Sequence, residues 1–176
     1  MAKSKKTTRL CEHCRKRFVP SHARHKRVKC PWCNKWTQKP RTLEQWDKEV
    51  DGLFSKLVRF VWEPGQPCCS CGRTLTSNIT DAGHFMRREF RNTRLLRDNV
   101  HPQCKSCNGG FGRNFWSENI NVHEEYRKWM VAKYGEERVC EIEALAQSHG
   151  KRPTVAEYRE LAAKFRSELE HHGIVV

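Results

Sequence analysis

Residues Pro67 to Asn114 read PCCSCGRTLTSNITDAGHFMRREFRNTRLLRDNVHPQCKSCNGGFGRN. Two Cys-x-x-Cys knuckles, Cys68/Cys71 and Cys104/Cys107, bracket this stretch with 32 residues between them. A knuckle of this kind points two sulfurs inward, and two knuckles close a tetrahedral Zn²⁺ site. Cys69 lies inside the first knuckle and competes with Cys68; the two-residue spacing of the other knuckles favours Cys68 and Cys71. Residues 78 to 87 have strand character. They carry Asp81 and, beside Gly83, His84; a glycine there lets a backbone or a phosphate come close. A turn-prone basic run follows, with Arg87, Arg88, Arg91, Arg94 and Arg97. Asp98 to His101 predicts a returning strand. A helix is expected from Lys105, with Asn108 on its first turn, kept short or irregular by Gly109, Gly110 and Gly112.

Upstream, Cys11/Cys14 and Cys30/Cys33 form a second four-cysteine set, with fifteen residues between its knuckles. His22 and His25 lie between them, either as substitute ligands or as surface residues among Arg24, Lys26, Arg27 and Lys29. Residues 1–41 hold 14 Lys/Arg and a single acid, Glu12, so they carry +13 of the chain's +14. Charge this concentrated is the footprint of a polyanion partner, most simply nucleic-acid phosphate, held with salt-sensitive affinity. Phe18, Trp32 and Trp36 fit two roles equally, stacking on bases or packing on a small zinc core.

The rest reads as helix. Thr42 and Gln45 form a capping box, and Leu43, Trp46, Val50, Leu53, Leu57, Val58 and Val61 make one apolar stripe that stops at Pro64-Gly65. Asn121 and Glu124 open a helix with Tyr126, Trp129 and Met130 inward, ending at Gly135. A second follows over 136–147 with Val139, Ile142 and Leu145 inward and Cys140 as a buried thiol. Thr154 and Glu157 cap a third, with Val155, Tyr158, Leu161, Phe165 and Leu169 as its stripe. The segments expected are therefore 1–41, a basic arm with a four-cysteine zinc motif; 42–65, an amphipathic helix; 66–118, the zinc-bracketed module; and 119–176, C-terminal helices. Apolar residues make up 37% of the chain and mean hydropathy is −0.86, so the core is thin and leans on metal. No apolar run reaches bilayer length and no signal core opens the chain, which predicts a soluble intracellular protein with no membrane partner. In a reducing compartment its ten cysteines are metal ligands or free thiols.

Strand, strand, helix, with a histidine on the first strand and a side-chain oxygen on the helix, resembles the ββα-metal (His-Asn-His) nucleases. The fold class expected is small zinc-stabilised α+β, with an HNH-like module and flanking helices. Phosphodiester hydrolysis needs an activated water and a cation at the phosphate. A neutral imidazole takes the water's proton at pH 7, which assigns His84 as general base. A hard cation, Mg²⁺ or Mn²⁺, prefers the oxygens of Asn108 and Asp81 to thiolates. Asn99 is expected to hydrogen-bond the loop that fixes the His84 ring. On a regular strand Asp81 and His84 face opposite sides, so Asp81 reaches a shared cation only across a bend. His101 either touches phosphate or packs beneath the zinc.

The words PCCSCGRTLTSNITDAGHF and RLLRDNVHPQCKSCN closely resemble the phage lambda NinG (Rap) recombination endonuclease family. The likeness is close from Pro67 to about Asn114 and looser through Tyr126, Tyr134-Gly135 and Glu141-Ile142-Glu143. It implies a structure-selective DNA endonuclease acting on Holliday junctions and D-loops, in the host-cell cytoplasm. It places the family's histidine at His84 and its asparagines at Asn99 and Asn108. Against commoner His-Asn-His nucleases, Gly83 stands where an Asp or His ligand is usual, and Asn108 where a His is. The arginines above, with Arg113, Arg24, Lys26, Arg27, Lys29 and His101, are the expected DNA contacts. A homodimer would fit the two-fold geometry of a junction. Two other readings compete: a zinc-finger DNA-binding or adaptor protein without catalysis, and an HNH nuclease of restriction or homing type.

Overall fold

The computed structural model describes residues 8–20, 27–38, 40–109 and 121–175. Contacts divide the chain into two units, Met1–Thr42 and Leu43–Val176. The helix, central module and C-terminal helices anticipated as separate segments share the second unit.

The first unit is two short antiparallel hairpins. β1 (Arg9–Leu10) pairs with β2 (Arg17–Phe18), and β3 (Arg27–Lys29) with β4 (Trp36–Gln38). A cysteine knuckle makes each turn. Cys11 N–H donates to Lys16 O and Arg15 N–H to Cys11 O; Cys30 N–H to Lys35 O and Asn34 N–H to Cys30 O, all at 2.9 Å. Closing so tightly drives the residue after the second cysteine into left-handed backbone, φ 59° at Arg15 and 56° at Asn34. Phe18 and Val28 pack on the four cysteines as the unit's apolar core. So small a core needs a cross-link to hold its shape.

In the second unit α1 (Leu43–Leu57) runs into a π-helical turn, Val58–Trp62. Its stripe, Val50, Leu53, Phe54, Leu57 and Val58, packs on Tyr158, Ala162, Phe165 and Leu169 of a long C-terminal helix, numbered α5 below. That is the amphipathic logic of the sequence, burying one face of each helix against the other. The central hairpin is β5 (Thr80–His84) against β6 (Val100–Cys104), running from the Thr80–Cys104 pair to the His84–Val100 pair. β5 is shorter than the strand anticipated over 78–87, because Asn99 takes over the backbone beyond His84. Phe85 N–H donates to Asn99 O, and the side chain of Asn99 binds Met86. A 3₁₀ turn (Arg97–Asn99) precedes β6, and α2 (Lys105–Asn108) follows it.

α3 (Val122–Tyr134) and α4 (Glu136–Gln147) meet at Gly135, which turns the chain at φ 84°. α5 spans Val155–His171 and starts on the Thr154/Glu157 capping box. The hairpin lies between two apolar clusters. Ala82 and Val100 join the α1–α5 core, while Phe85 joins Tyr126, Met130, Val139 and Ile142 of α3 and α4. Leu145 and Val155, anticipated inward, are exposed at the ends of their stripes. Cys140, anticipated as buried, is exposed on α4 beside Glu136. Among the described residues no helix is long and apolar enough to cross a membrane.

Candidate functional site

The frame of the site is the second cysteine cluster. Cys68, Cys71, Cys104 and Cys107 bring their sulfurs within 4.8 Å of one another, with Cys71 and Cys104 3.9 Å apart. Cys11–Cys33 and Cys14–Cys30 in the first cluster are 3.5 and 3.6 Å apart. Four sulfurs at zinc-bonding distance on a tetrahedron stand roughly 3.8 Å from one another. Both sets therefore have the donors and the spacing to bind zinc. The knuckle of the first unit recurs here: Cys68 N–H donates to Arg73 O, Gly72 N–H donates to Cys68 O, and Gly72 takes φ 69°. Burial raises the Cys68 thiol, but the backbone N–H groups of Cys104, Cys71 and Ser70 outweigh it and favour the thiolate. Cys69 points elsewhere, into the Phe85–Tyr126 cluster, where burial pushes its thiol up. The two-residue spacing thus picked the right cysteine. Cys104 ends β6 and also caps α2, its sulfur accepting from Cys107 N–H at 3.4 Å. One residue thereby ties strand, helix and candidate zinc site together.

At the far end of the hairpin sits His84. Its Nε2 is 3.0 Å from the carbonyl oxygen of Arg94. A carbonyl only accepts, so Nε2 carries the proton and Nδ1 keeps its lone pair. Nδ1 accepts a long hydrogen bond from Arg88 Nε–H at 3.5 Å. Burial, with the charge of Arg88 second, lowers the His84 pKa to about 4, so the ring is neutral at pH 7. The Arg94 carbonyl is itself held still. The Arg94 guanidinium donates to Asp51 (Nε to Oδ1 3.0 Å) and to Asp47 (Nη1 to Oδ2 3.1 Å), and its side chain is 14% exposed. Asn99 closes the same loop from beneath. Fully buried, it accepts from Met86 N–H at 2.7 Å and donates to Met86 O at 3.0 Å and Thr93 O at 2.9 Å. This is the loop-fixing role the sequence assigns it.

Asp81 and Asn108 form a second grouping near the cysteine end of the hairpin. Asp81 pairs with Gln103 across the strands, and Asn108 Nδ2 donates to Asp81 Oδ2 at 3.0 Å. Asp81 and His84 have opposite parity on β5 and lie about 10 Å apart along it. No hydrogen bond joins the two groupings among the described residues. Among the described residues the two cysteine sets are the only clusters of three or more carboxylate, histidine or cysteine ligands, and Asp81 belongs to neither.

The family model for the Bacteriophage Lambda NinG protein matches residues 22–172. The chain belongs to the NinG family. The match takes in the hairpin, the whole second cysteine cluster and Cys30/Cys33, and begins after Cys11/Cys14. Comparison with curated proteins and with solved structures gives no match.

Not every residue expected to meet DNA in this NinG chain faces solvent. Arg87, Arg88, Arg91 and Arg97 are exposed, Arg97 lying over the Trp62 ring, and Arg27 and Lys29 are exposed on β3. Arg94, expected among the DNA contacts, is turned inward, where two aspartates of α1 neutralise it. His101, expected there too, also faces inward. It is fully buried, with Nδ1 2.9 Å from Glu63 Oε1 and its ring against Trp129 and Tyr134. Burial raises the Glu63 carboxyl, but His101 and Lys133 together hold it below its usual value. Gly83 makes room for protein rather than phosphate: a Cβ there would lie 2.2 Å from Gln103 Oε1. Arg24, Lys26, Arg113 and the histidines at 22 and 25 lie outside the described residues. The sequence reading missed the anchor of the His84 loop. Its signal was present: Asp47 and Asp51 are one helical turn apart, off the apolar stripe of α1, where a buried cation could find both.

Proposed function

We propose that this NinG-family protein is a metal-dependent endonuclease that hydrolyses phosphodiester bonds in branched DNA, such as Holliday junctions and D-loops, during phage recombination. The observation that carries the reading is the tautomer of His84. Nε2 is tied to an anchored carbonyl, and Nδ1 is a neutral acceptor whose partner is the Nε–H of exposed Arg88, which a water must displace. In this reading a water loses its proton to Nδ1 while its oxygen attacks phosphorus, and the bond to the 3′ oxygen breaks, leaving a 5′ phosphate. Asn99 and the Asp47–Asp51–Arg94 ion pairs keep the ring in register for that transfer. Arg87, Arg88 and Arg91 hold the flanking phosphates. Asp81 Oδ and, with its amide turned over, Asn108 Oδ1 are the hard oxygens that would bind Mg²⁺ or Mn²⁺. A cation there would stand about 10 Å along β5 from His84 and on the strand's other face, so it would supply Lewis-acid charge to the phosphate under attack only if β5 bends to bring the two groupings together.

The test is a panel of four-way junction, D-loop, nicked and linear duplex, each incubated with and without Mg²⁺. Cleavage confined to branched substrates and dependent on Mg²⁺ is expected. Equal cutting of linear duplex would move the target to a restriction or homing type. One observation favours a second reading, a zinc-bearing DNA-binding protein without catalysis: Asp81 and Asn108 satisfy each other, and among the described residues Asp81 belongs to no cluster of three or more carboxylate, histidine or cysteine ligands. Binding to junctions without cleavage under any divalent cation would establish that reading instead.

A further inference from the structure

The first unit shows solvent a surface that its small core does not need. Trp32 is 61% exposed and Trp36 56%, while Phe18, the third aromatic there, is buried on the cysteines. The structure thus separates the two roles the sequence left joined. Phe18 packs, and the tryptophans do not. Trp36 lies opposite Lys29 in the β3–β4 register, and Val28 lies opposite Thr37. Val28 and Thr37 are buried, so the alternate face with Arg27, Lys29 and Trp36 is the outer one. Lys29 Nζ stands 5.4 Å from the Trp36 ring centre, and Lys16 Nζ, from the other hairpin, 5.1 Å from that of Trp32. Each indole is thus exposed with a lysine ammonium over one face of its ring. The segment around them carries +13.

We propose that Trp32 and Trp36 form a stacking platform for unpaired DNA bases, with Lys16, Lys29 and Arg27 holding the adjoining phosphates. Charge complementarity commits the surface to a polyanion. The rings narrow it further, because duplex DNA hides its base faces and single strands offer them. A flat apolar ring also has no use for phosphate alone. The inference rests on the reading that DNA is the partner and is independent of the cutting chemistry.

The test measures binding of the full-length protein to a labelled mixed-sequence single strand and to a duplex of the same length, by fluorescence anisotropy. Wild type is compared with Trp32→Leu/Trp36→Leu, which keeps apolar bulk without a ring, and with Trp32→Phe/Trp36→Phe, which keeps a ring. Zinc content is measured on all three. The leucine variant is expected to lose roughly tenfold or more of its single-strand affinity per ring, with duplex binding and the salt dependence nearly unchanged, since no charge is removed. The phenylalanine variant should retain most of the affinity. Unchanged single-strand binding in the leucine variant overturns the proposal, as does an equal loss on single strand and duplex. If the leucine variant loses zinc, the phenylalanine variant decides, and a tenfold single-strand loss there with zinc intact counts against the platform. Wild type that binds neither DNA overturns the partner reading itself, a result distinct from failure of the platform alone.

Discussion

At the scale of single residues, chemistry and structure meet in His84 and Asn99. A half-buried histidine whose folded pKa is lowered to about 4 is neutral throughout the range where a nuclease works. Followed by NMR, the His84 ring should titrate near pH 4, and any rate that depends on it should hold down to about pH 5 and fall as pH drops through 4. A midpoint near the ordinary histidine value would mean the ring is solvated and the loop open. Asn99, itself buried, makes three hydrogen bonds to the backbone of two residues, the one to Thr93 fully buried. Asn99→Ala leaves those groups unpaired, so a loss of about 1–3 kcal/mol is expected in chemical denaturation. Much of this was legible in advance, because an imidazole and a carboxamide advertise what they can do. Partners do not show in the same way. Arg94 and His101 resembled phosphate ligands on charge alone, yet aspartates 43 and 47 residues away claim the first, and Glu63 claims the second.

At the scale of elements, the central hairpin is held by close fits on both faces. Gly83 is one: its neighbour Gln103 fills the space a side chain would take and donates through Nε2 to Ser70 Oγ at 2.8 Å. On the same backbone, Tyr126 O–H donates to Gly83 O at 2.9 Å. Gly83→Ala should cost about 1–3 kcal/mol by overpacking. Adding Gln103→Ala should return part of that loss, a coupling that a double-mutant cycle would measure; strictly additive effects would contradict the fit. Cys104→Ser removes a sulfur that also caps α2, and should release the metal of the second cluster and loosen β6 from α2. Helix starts were readable because capping is local: Asn121 and Thr154 do in the structure what their spacing announced. Helix faces were less so. Leu145 and Val155 keep the right periodicity but lie at the stripe ends, where no neighbour covers them.

At the scale of the whole molecule, two cysteine quartets were legible because thiolate pairs at two-residue spacing form sites almost by themselves. Metal analysis should return two zinc ions per chain, and one for Cys104→Ser. Strand parity already set Asp81 apart from His84; what spacing could not convey was that β5 stays regular and that Asn108 joins Asp81 rather than His84. The claim on which the account turns is that His84 takes a proton from water during DNA cleavage. The most direct measurement is single-turnover cleavage of a four-way junction with Mg²⁺ by wild type and His84→Ala, each shown to hold two zinc ions and to bind the junction equally. A rate lower by about 10²–10⁴-fold is expected in the variant. Cleavage at the wild-type rate by His84→Ala would contradict it.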